Sequence, residues 1–184
     1  DKTLSALITS WRKVWQDEFP FYFVQIAPYK TGSNNFSNVT VRNSQRKILK
    51  EVPKTGMVLT SDISDTIDIH PKNKKDVGIR LANLALAEMY KTNNNLVNGP
   101  LFKDFKVEKN KAIVSFDYAD GLYFKNKTSN QFELAGADGI FYPAEASIKN
   151  NQVILSSKKV SNPAKVRFAW GNTIQSDLFN KANL

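Results

Sequence analysis

The amino-acid sequence predicts an α/β layer with a parallel sheet, followed by a small all-β sandwich. Up to about residue 93, stretches with helical periodicity alternate with short apolar runs that resemble buried strands. Beyond the run Asn93-Asn94-Asn95, only short strand-like runs separated by turn signals follow. We therefore expect two domains, residues 1–95 and residues 96–184.

The first predicted helix carries apolar residues at three- and four-residue steps, which places them on one face. They are Leu4, Leu7, Ile8, Trp11, Val14 and Trp15. Phe19-Pro20 ends this helix, and residues 21–27 then predict a strand buried on both faces, as in parallel sheets. We expect the tryptophans of this face, and Trp170, to belong to the core rather than to stack on a ligand.

Two further helices and one strand complete the predicted α/β layer. Residues 28–40 are rich in polar and small residues and predict a loop, and residues 41–52 predict a helix. Thr55-Gly56 leads into a strand over residues 57–60, and Pro71 suits the first position of a third helix. The buried stripe of that helix is expected at Val77, Leu81, Leu84, Ala85 and Met89.

Six short runs in the second half predict strands of the sandwich. They cover residues 105–108, 112–116, 132–134, 146–148, 153–155 and 166–170.

The composition excludes several classes of function. The chain has no cysteine, so disulfides, thiol nucleophiles and cysteine zinc sites are absent. The net charge of +9 is divided evenly between the two halves, and only Lys72-Asn73-Lys74-Lys75 is a dense basic run, so we expect no nucleic-acid partner. No apolar run approaches the roughly 20 residues of a membrane span.

His70 is the one histidine of the chain, and it lies between the second predicted strand and the third predicted helix. Imidazole is the natural proton shuttle near neutral pH. Functional groups collect beyond the carboxyl ends of strands in open α/β sheets, which is where this loop would lie. A hydrolytic base also needs a partner on its second ring nitrogen, and Asp68 is the local candidate, with Asp65 in reserve. A polar loop residue without chemistry is the alternative interpretation of His70.

Asp62, Asp65, Asp68 and His70 could also be considered as metal ligands. Their spacing does not match the alternating calcium loop, and one histidine cannot supply the several nitrogen or sulfur ligands of a catalytic zinc. We therefore expect no metal and no cofactor. No Gly-x-Ser-x-Gly motif occurs in the chain, so the local sequence provides half of a hydrolytic site.

A set of motifs in fixed order covers nearly the whole chain and resembles the carboxyl-terminal half of the sialate O-acetylesterases, a family of SGNH-type serine esterases. In the first half these motifs are Leu7-Ile8-x-x-Trp11-Arg12-x-x-Trp15, residues 19–28, Arg42-x-x-Gln45-Arg46-Lys47, Thr55-Gly56-Met57-Val58, residues 68–74 and Val77-Gly78-x-Arg80-Leu81-Ala82. In the second half they are residues 99–103, Phe132-x-x-Ala135-Gly136-Ala137-Asp138, Asn162-Pro163-x-x-Val166-Arg167-Phe168-Ala169-Trp170 and Asn180-Lys181-Ala182-x-Leu184.

The resemblance implies that O-acetyl groups are removed from sugars, above all sialic acid, through an acyl-serine intermediate. It implies that His70 is the general base and acid, and that the serine and the oxyanion donors come from an amino-terminal half outside this chain. The superfamily places an aspartate three residues before its histidine, where this chain has Ile67. A triad with Asp68 and a Ser–His dyad therefore both stay open. Gln45 could face the substrate or could be a helix-surface residue.

The alternative function is a non-catalytic fragment that binds a glycan or another protein. In either case we expect an extracytoplasmic location, periplasmic or secreted, or lysosomal or secreted in an animal, directed by a signal outside this chain.

Overall fold

The computed structural model describes residues 2–32 and 36–184, and the chain divides into two units. In the first unit, three helices surround a two-stranded parallel sheet. This unit extends to Val97 and also includes Gly171–Ile174. Its elements are α1 (Lys2–Trp15), β1 (Phe21–Val24), α2 (Ser37–Glu51), β2 (Thr55–Val58) and α3 (Lys74–Glu88). No helix in the described ranges is long and apolar enough to cross a bilayer.

The strands β1 and β2 pair in parallel, with Phe21 opposite Thr55 and Val24 opposite Val58. Successive side chains of a strand point to opposite faces, so β1 serves two small cores. One core contains Ile8, Ile48 and Val52, with Phe21 and Phe23 of β1 packed against it. The other contains Val58, Leu84 and Val97, with Tyr22 and Val24 against it.

Several boundaries differ from the predicted ones. The strand β1 ends at Val24 instead of residue 27, and it is half-buried rather than fully buried. The helix α2 begins at Ser37, four residues early, and residues 33–35 of the predicted loop lie outside the described residues. The helix α3 begins at Lys74 rather than at Pro71, because the Asn73 side chain accepts from the backbone N–H of Asp76 and caps the helix there.

The buried stripes predicted for α1 and α3 are only partly buried. In α1 the buried residues are Ile8 and Arg12, whereas Trp11 is 45% exposed and Trp15 is 67% exposed. At 100° per residue, the apolar arc of α1 extends sideways well beyond the direction in which Ile8 and Arg12 point. The prediction that these two tryptophans belong to the core is therefore wrong. In the stripe predicted for α3, Leu84 is buried, whereas Met89, the residue that follows the helix, is exposed.

The second unit, Asn98–Trp170 with Gln175–Leu184, contains only antiparallel strand pairs among its described strands. Its strands are β3 (Leu101–Glu108), β4 (Lys111–Asp117), β5 (Tyr123–Phe124), β6 (Phe132–Ala135), β7 (Phe141–Pro143), β8 (Glu145–Lys149), β9 (Gln152–Ser156), β10 (Lys165–Phe168) and β11 (Leu178–Phe179). All six predicted runs lie on strands, although Ala169 and Trp170 of the last run lie beyond the end of β10. The sequence did not predict β5, β7 and β11.

The strands of the second unit form sheets with the orders β3-β4-β9-β8, β10-β6-β7 and β11-β5. One hydrophobic cluster includes buried residues from all three sheets, among them Val114, Phe132, Leu155 and Leu178. The described chain is thus a mixed α/β protein with several antiparallel sheets.

Candidate active site

The loops that follow β1 and β2 lie side by side at the carboxyl edge of the parallel strands. The Gln25 backbone N–H donates to the Val58 carbonyl at 3.0 Å, and the buried Thr60 hydroxyl donates to the Gln25 carbonyl at 3.0 Å. Further out, the Lys30 backbone N–H donates to the Thr66 carbonyl at 2.8 Å. This is the edge at which α/β sheets gather functional groups.

His70 is exposed on the loop between β2 and α3, and its backbone conformation is set by a local turn. Its backbone N–H donates to Asp68 Oδ1 at 2.8 Å, and three residues earlier the Ile67 N–H donates to Asp65 Oδ1 at the same distance. Aspartate side chains form turns of this kind with the backbone two residues on. Within the described part of the chain, no hydrogen bond or ion pair reaches the imidazole itself.

The structure therefore brings Asp68 and His70 together, but through the backbone rather than through the ring. The Asp68 carboxylate accepts from a main-chain N–H, and this contact shapes the loop. An orienting hydrogen bond from an imidazole N–H to the carboxylate is not present here. The contact that does form is compatible with the dyad arrangement that the sequence left open.

Three of the four residues considered as metal ligands have other partners for their side chains. Asp62 pairs with Arg80, and Asp65 and Asp68 each accept from a backbone N–H. Among residues 2–32 and 36–184, no three histidine or carboxylate side chains are grouped so that they could hold a metal ion.

A bidentate ion pair stands where the loop leaves β2. Arg80 of α3 donates to Asp62 Oδ1 at 2.8 Å and to Asp62 Oδ2 at 2.5 Å, and also to the Leu59 carbonyl at 2.7 Å. The hydrogen bonds with Asp62 raise the pKa of Arg80 above its ordinary value, so the guanidinium stays charged. This pair joins the first turns of the loop to the middle of a helix.

Gln45 of α2 is bound to the end of β1 at both ends of its amide. Its Oε1 accepts from the Ile26 backbone N–H at 2.9 Å, and its Nε2 donates to the Val24 carbonyl at 3.3 Å. These bonds satisfy the carbonyl of Val24, the last paired residue of β1, and the N–H of Ile26 just beyond it. Gln45 therefore has a structural role in this chain, and the predicted contact with substrate stays a prediction.

Sequence reasoning missed a group of buried polar residues beside this edge. Arg42 is buried, donates to the carbonyls of Gly171 and Ile174, and has its pKa lowered to about 10 by burial. Asn38 donates to the Ala27 carbonyl at 3.1 Å, and Asn172 accepts from the Val39 N–H at 3.3 Å. Arg42 belongs to a quoted motif, but no local pattern indicated that residues 171–174 return to the first unit.

Comparison with known proteins identifies relatives over almost the entire chain. The chain is 27% identical to rat sialate O-acetylesterase over 188 residues and 25% identical to the mouse protein of the same name over 187 residues. It matches the crystal structure of a carbohydrate acetylesterase from Xanthomonas citri with a TM-score of 0.88 and 34% identity, covering 98% of this chain. No protein-family model matches the chain.

The resemblance to sialate O-acetylesterases that the motifs indicated is thereby confirmed, and each of these relatives is named an acetylesterase. The chain spans 35% of the length of the two rodent proteins and 43% of the bacterial one. It thus corresponds to part of each relative.

Proposed function

We propose that this chain is the histidine-bearing part of a carbohydrate acetylesterase, in which the α/β part contributes to an SGNH-type catalytic domain and the β-rich part is an accessory sandwich. The observation that carries this proposal is an exposed imidazole at the carboxyl edge of parallel strands, in a chain related to acetylesterases over nearly all its length. The substrate would be an O-acetylated sugar, with sialic acid as the first candidate.

In the proposed mechanism, a serine hydroxyl from another part of the full-length protein attacks the acetyl carbonyl. His70 takes the serine proton and passes it to the departing sugar oxygen, which leaves an acyl-serine. A water molecule then attacks the acyl carbonyl, with His70 first accepting the water proton and then returning it to the serine. The exposure of His70 supports this proposal because a second protein segment and a sugar must both reach the ring.

The test is acetate release by a full-length protein that contains this chain, measured with O-acetylated sialic acid and with acetylated neutral sugars. We expect His70→Ala to lower kcat by at least about 10³-fold, since the proton transfer has no substitute in the chain. Ile67→Ala, on the same loop and 80% exposed, is the matched control and should retain activity. Near-normal turnover by His70→Ala would remove His70 from the mechanism.

Two variants of Asp68 separate its contributions. Asp68→Asn keeps an oxygen that can accept from the His70 backbone N–H but removes the charge, whereas Asp68→Ala removes both. Because the carboxylate supports a turn, we expect Asp68→Asn to stay within several-fold of wild type and Asp68→Ala to lose more. A loss of about 10⁴-fold in Asp68→Asn would instead indicate a triad in the complete enzyme.

The second candidate function is binding without catalysis. An open groove in the second unit, lined by Asn130, Tyr142, Glu145 and Lys159, is the place where such binding would be sought. The Lys159 Nζ atom lies 5.1 Å from the centre of the Tyr142 ring, so a sugar that stacks on this ring has to displace the ammonium group. A full-length protein that binds glycan but releases no acetate from any acetylated sugar would support this function over the first.

A further inference from the structure

We propose that the Arg80–Asp62 pair is a positioning device that fixes the loop carrying His70 for proton transfer. This inference rests on the proposed esterase function and assigns a role within the same site. The pair touches neither His70 nor the reacting atoms, and it acts on the loop between β2 and α3.

The pair is built for geometric precision. Arg80 donates to both carboxylate oxygens of Asp62, and its Nη1, which binds Asp62 Oδ1, also donates to the Leu59 carbonyl. The side chains of Arg80 and Asp62 are 13% and 22% exposed, while Asp62 as a whole residue is exposed, so the contact lies at the surface and is partly shielded from water. A two-point guanidinium–carboxylate contact fixes orientation as well as distance, which a lysine ammonium cannot reproduce.

The position of the pair in the chain gives it this role. Asp62 is the fourth residue after β2, and Arg80 lies in the middle of α3, so the bond joins the start of the loop to the helix that follows it. The other end of the loop is fixed by the reciprocal contacts between Asn73 and Asp76. His70 lies between these two anchors. In this stretch the Thr66 carbonyl accepts from the Lys30 backbone N–H, and the backbone around His70 itself is held by the short turns at Asp65 and Asp68.

A misplacement of about 1 Å in a catalytic group can cost about 100-fold in rate, so an anchor at the base of this loop affects turnover directly. An alternative is that the pair only contributes to general stability. The two roles differ in where disorder appears after the pair is broken: within residues 63–72 for positioning, and throughout the first unit for stability.

The chain contains a matched control for this test. Arg167 and Glu133 form a second bidentate pair in the second unit, with contacts of 2.7 and 3.0 Å and exposures of 24% and 26%. Arg80→Lys and Arg167→Lys therefore remove the same two-point contact and keep the same charge at two separate places.

The first measurement is hydrogen exchange of the 184-residue chain, read at the Ile67 and His70 amides that the turns protect. We expect Arg80→Lys to accelerate exchange at these amides by about tenfold while the amides of β4 and β9 stay unchanged. Arg167→Lys should leave both loop amides unchanged. If Arg80→Lys does not fold, Asp62→Asn keeps the side-chain shape and weakens the same contact.

The second measurement is turnover by the full-length protein. Arg80→Lys should lower kcat for acetate release by about 10- to 100-fold with little change in KM, whereas Arg167→Lys keeps both constants. Unchanged loop exchange, equal acceleration across the first unit, or local acceleration with unchanged kcat would each overturn the proposal. If wild type hydrolyses no acetylated sugar, the esterase proposal fails, while the exchange data still decide whether the pair orders the loop.

Discussion

Eleven buried side chains of the second unit form one hydrophobic cluster, whereas buried residues of the first unit fall into two clusters of three. The first unit also exposes more large hydrophobic side chains than the second. Of the fifteen large hydrophobic side chains that are exposed among the described residues, twelve belong to the first unit. One unit completes its own core, and the other leaves much of its apolar surface uncovered.

The first unit compensates with polar anchors. The buried Arg12 donates to the Phe19 carbonyl at 2.9 and 3.1 Å and to the Lys54 carbonyl at 3.2 Å, joining α1 to the segments before β1 and β2. At the carboxyl edge of the sheet, Gln45 joins α2 to the residues after β1, and Arg80 joins α3 to the residue after β2. Such bonds fix geometry but add less stability than a large core. The comparison shows that the candidate site lies in the less self-sufficient unit.

The largest expected difference concerns the two halves as separate fragments. Residues 98–184 contain the whole second unit, so we expect this fragment to unfold cooperatively in urea. Residues 1–97 lack the carbonyls of Gly171 and Ile174 that Arg42 binds, and they keep the exposed apolar surface. We expect this fragment to bind a hydrophobic dye and to unfold without a clear transition. A sharp transition of a monomeric fragment 1–97 would contradict the comparison.

A matched pair of buried leucines, one in each unit, tests the difference between the two cores. Leu134 and Leu84 are both almost fully buried, but Leu134 belongs to the cluster of eleven and Leu84 to a cluster of three. We expect Leu134→Ala to lower the free energy of unfolding by about 4–5 kcal/mol and Leu84→Ala by about 2–3 kcal/mol, since a small core can collapse around the cavity. Urea unfolding of the 184-residue chain, followed by hydrogen exchange in each unit, measures both. Equal losses would mean that the two cores are equally rigid.

Gln45 provides a smaller effect that is specific to the first unit. Gln45→Met keeps the side-chain volume but leaves the Ile26 N–H without its acceptor, so we expect the free energy of unfolding to fall by about 1–3 kcal/mol. Thermal unfolding of the chain measures this loss. In the full-length protein, KM for the acetylated sugar should stay within about twofold of wild type. A large rise in KM with unchanged stability would instead restore Gln45 as a substrate contact.

The same contrast explains how much of the fold the sequence could predict. In the second unit, short strands alternate with turn residues, so local periodicity was enough to find the runs around Val114, Leu134 and Val153. In the first unit, α1 has an apolar arc wider than the surface it covers, and periodicity cannot reveal that Trp15 contacts Phe19 and yet stays 67% exposed. The burial of a side chain depends on which other element packs against it, and the sequence of one helix does not contain this information.

The candidate site was predictable to a similar extent. His70 could be located from its residue type and from the strand before it, and its exposed position beyond β2 agrees with that reasoning. The bond between Asp68 and the His70 backbone could not be predicted, because the same Asp-x-His spacing allows either a contact with the imidazole ring or a backbone turn. The Arg80–Asp62 pair joins residues 18 positions apart, and only the packing of α3 brings them together.

The smallest expected effect concerns the uncovered face of α1. Val14 is 73% exposed in the last turn of the helix, where a positive charge is favourable, so Val14→Lys should change the free energy of unfolding by no more than about 0.5 kcal/mol. The substitution removes apolar surface from a patch that also contains Trp11 and Trp15, so self-association of the 184-residue chain in sedimentation experiments should decrease. Ile140→Lys in the second unit is the control, because Ile140 is 54% exposed but lies outside this patch. If Val14→Lys costs more than about 1 kcal/mol, the face of α1 must already be covered within this chain, and the contrast between an open and a closed unit would no longer hold.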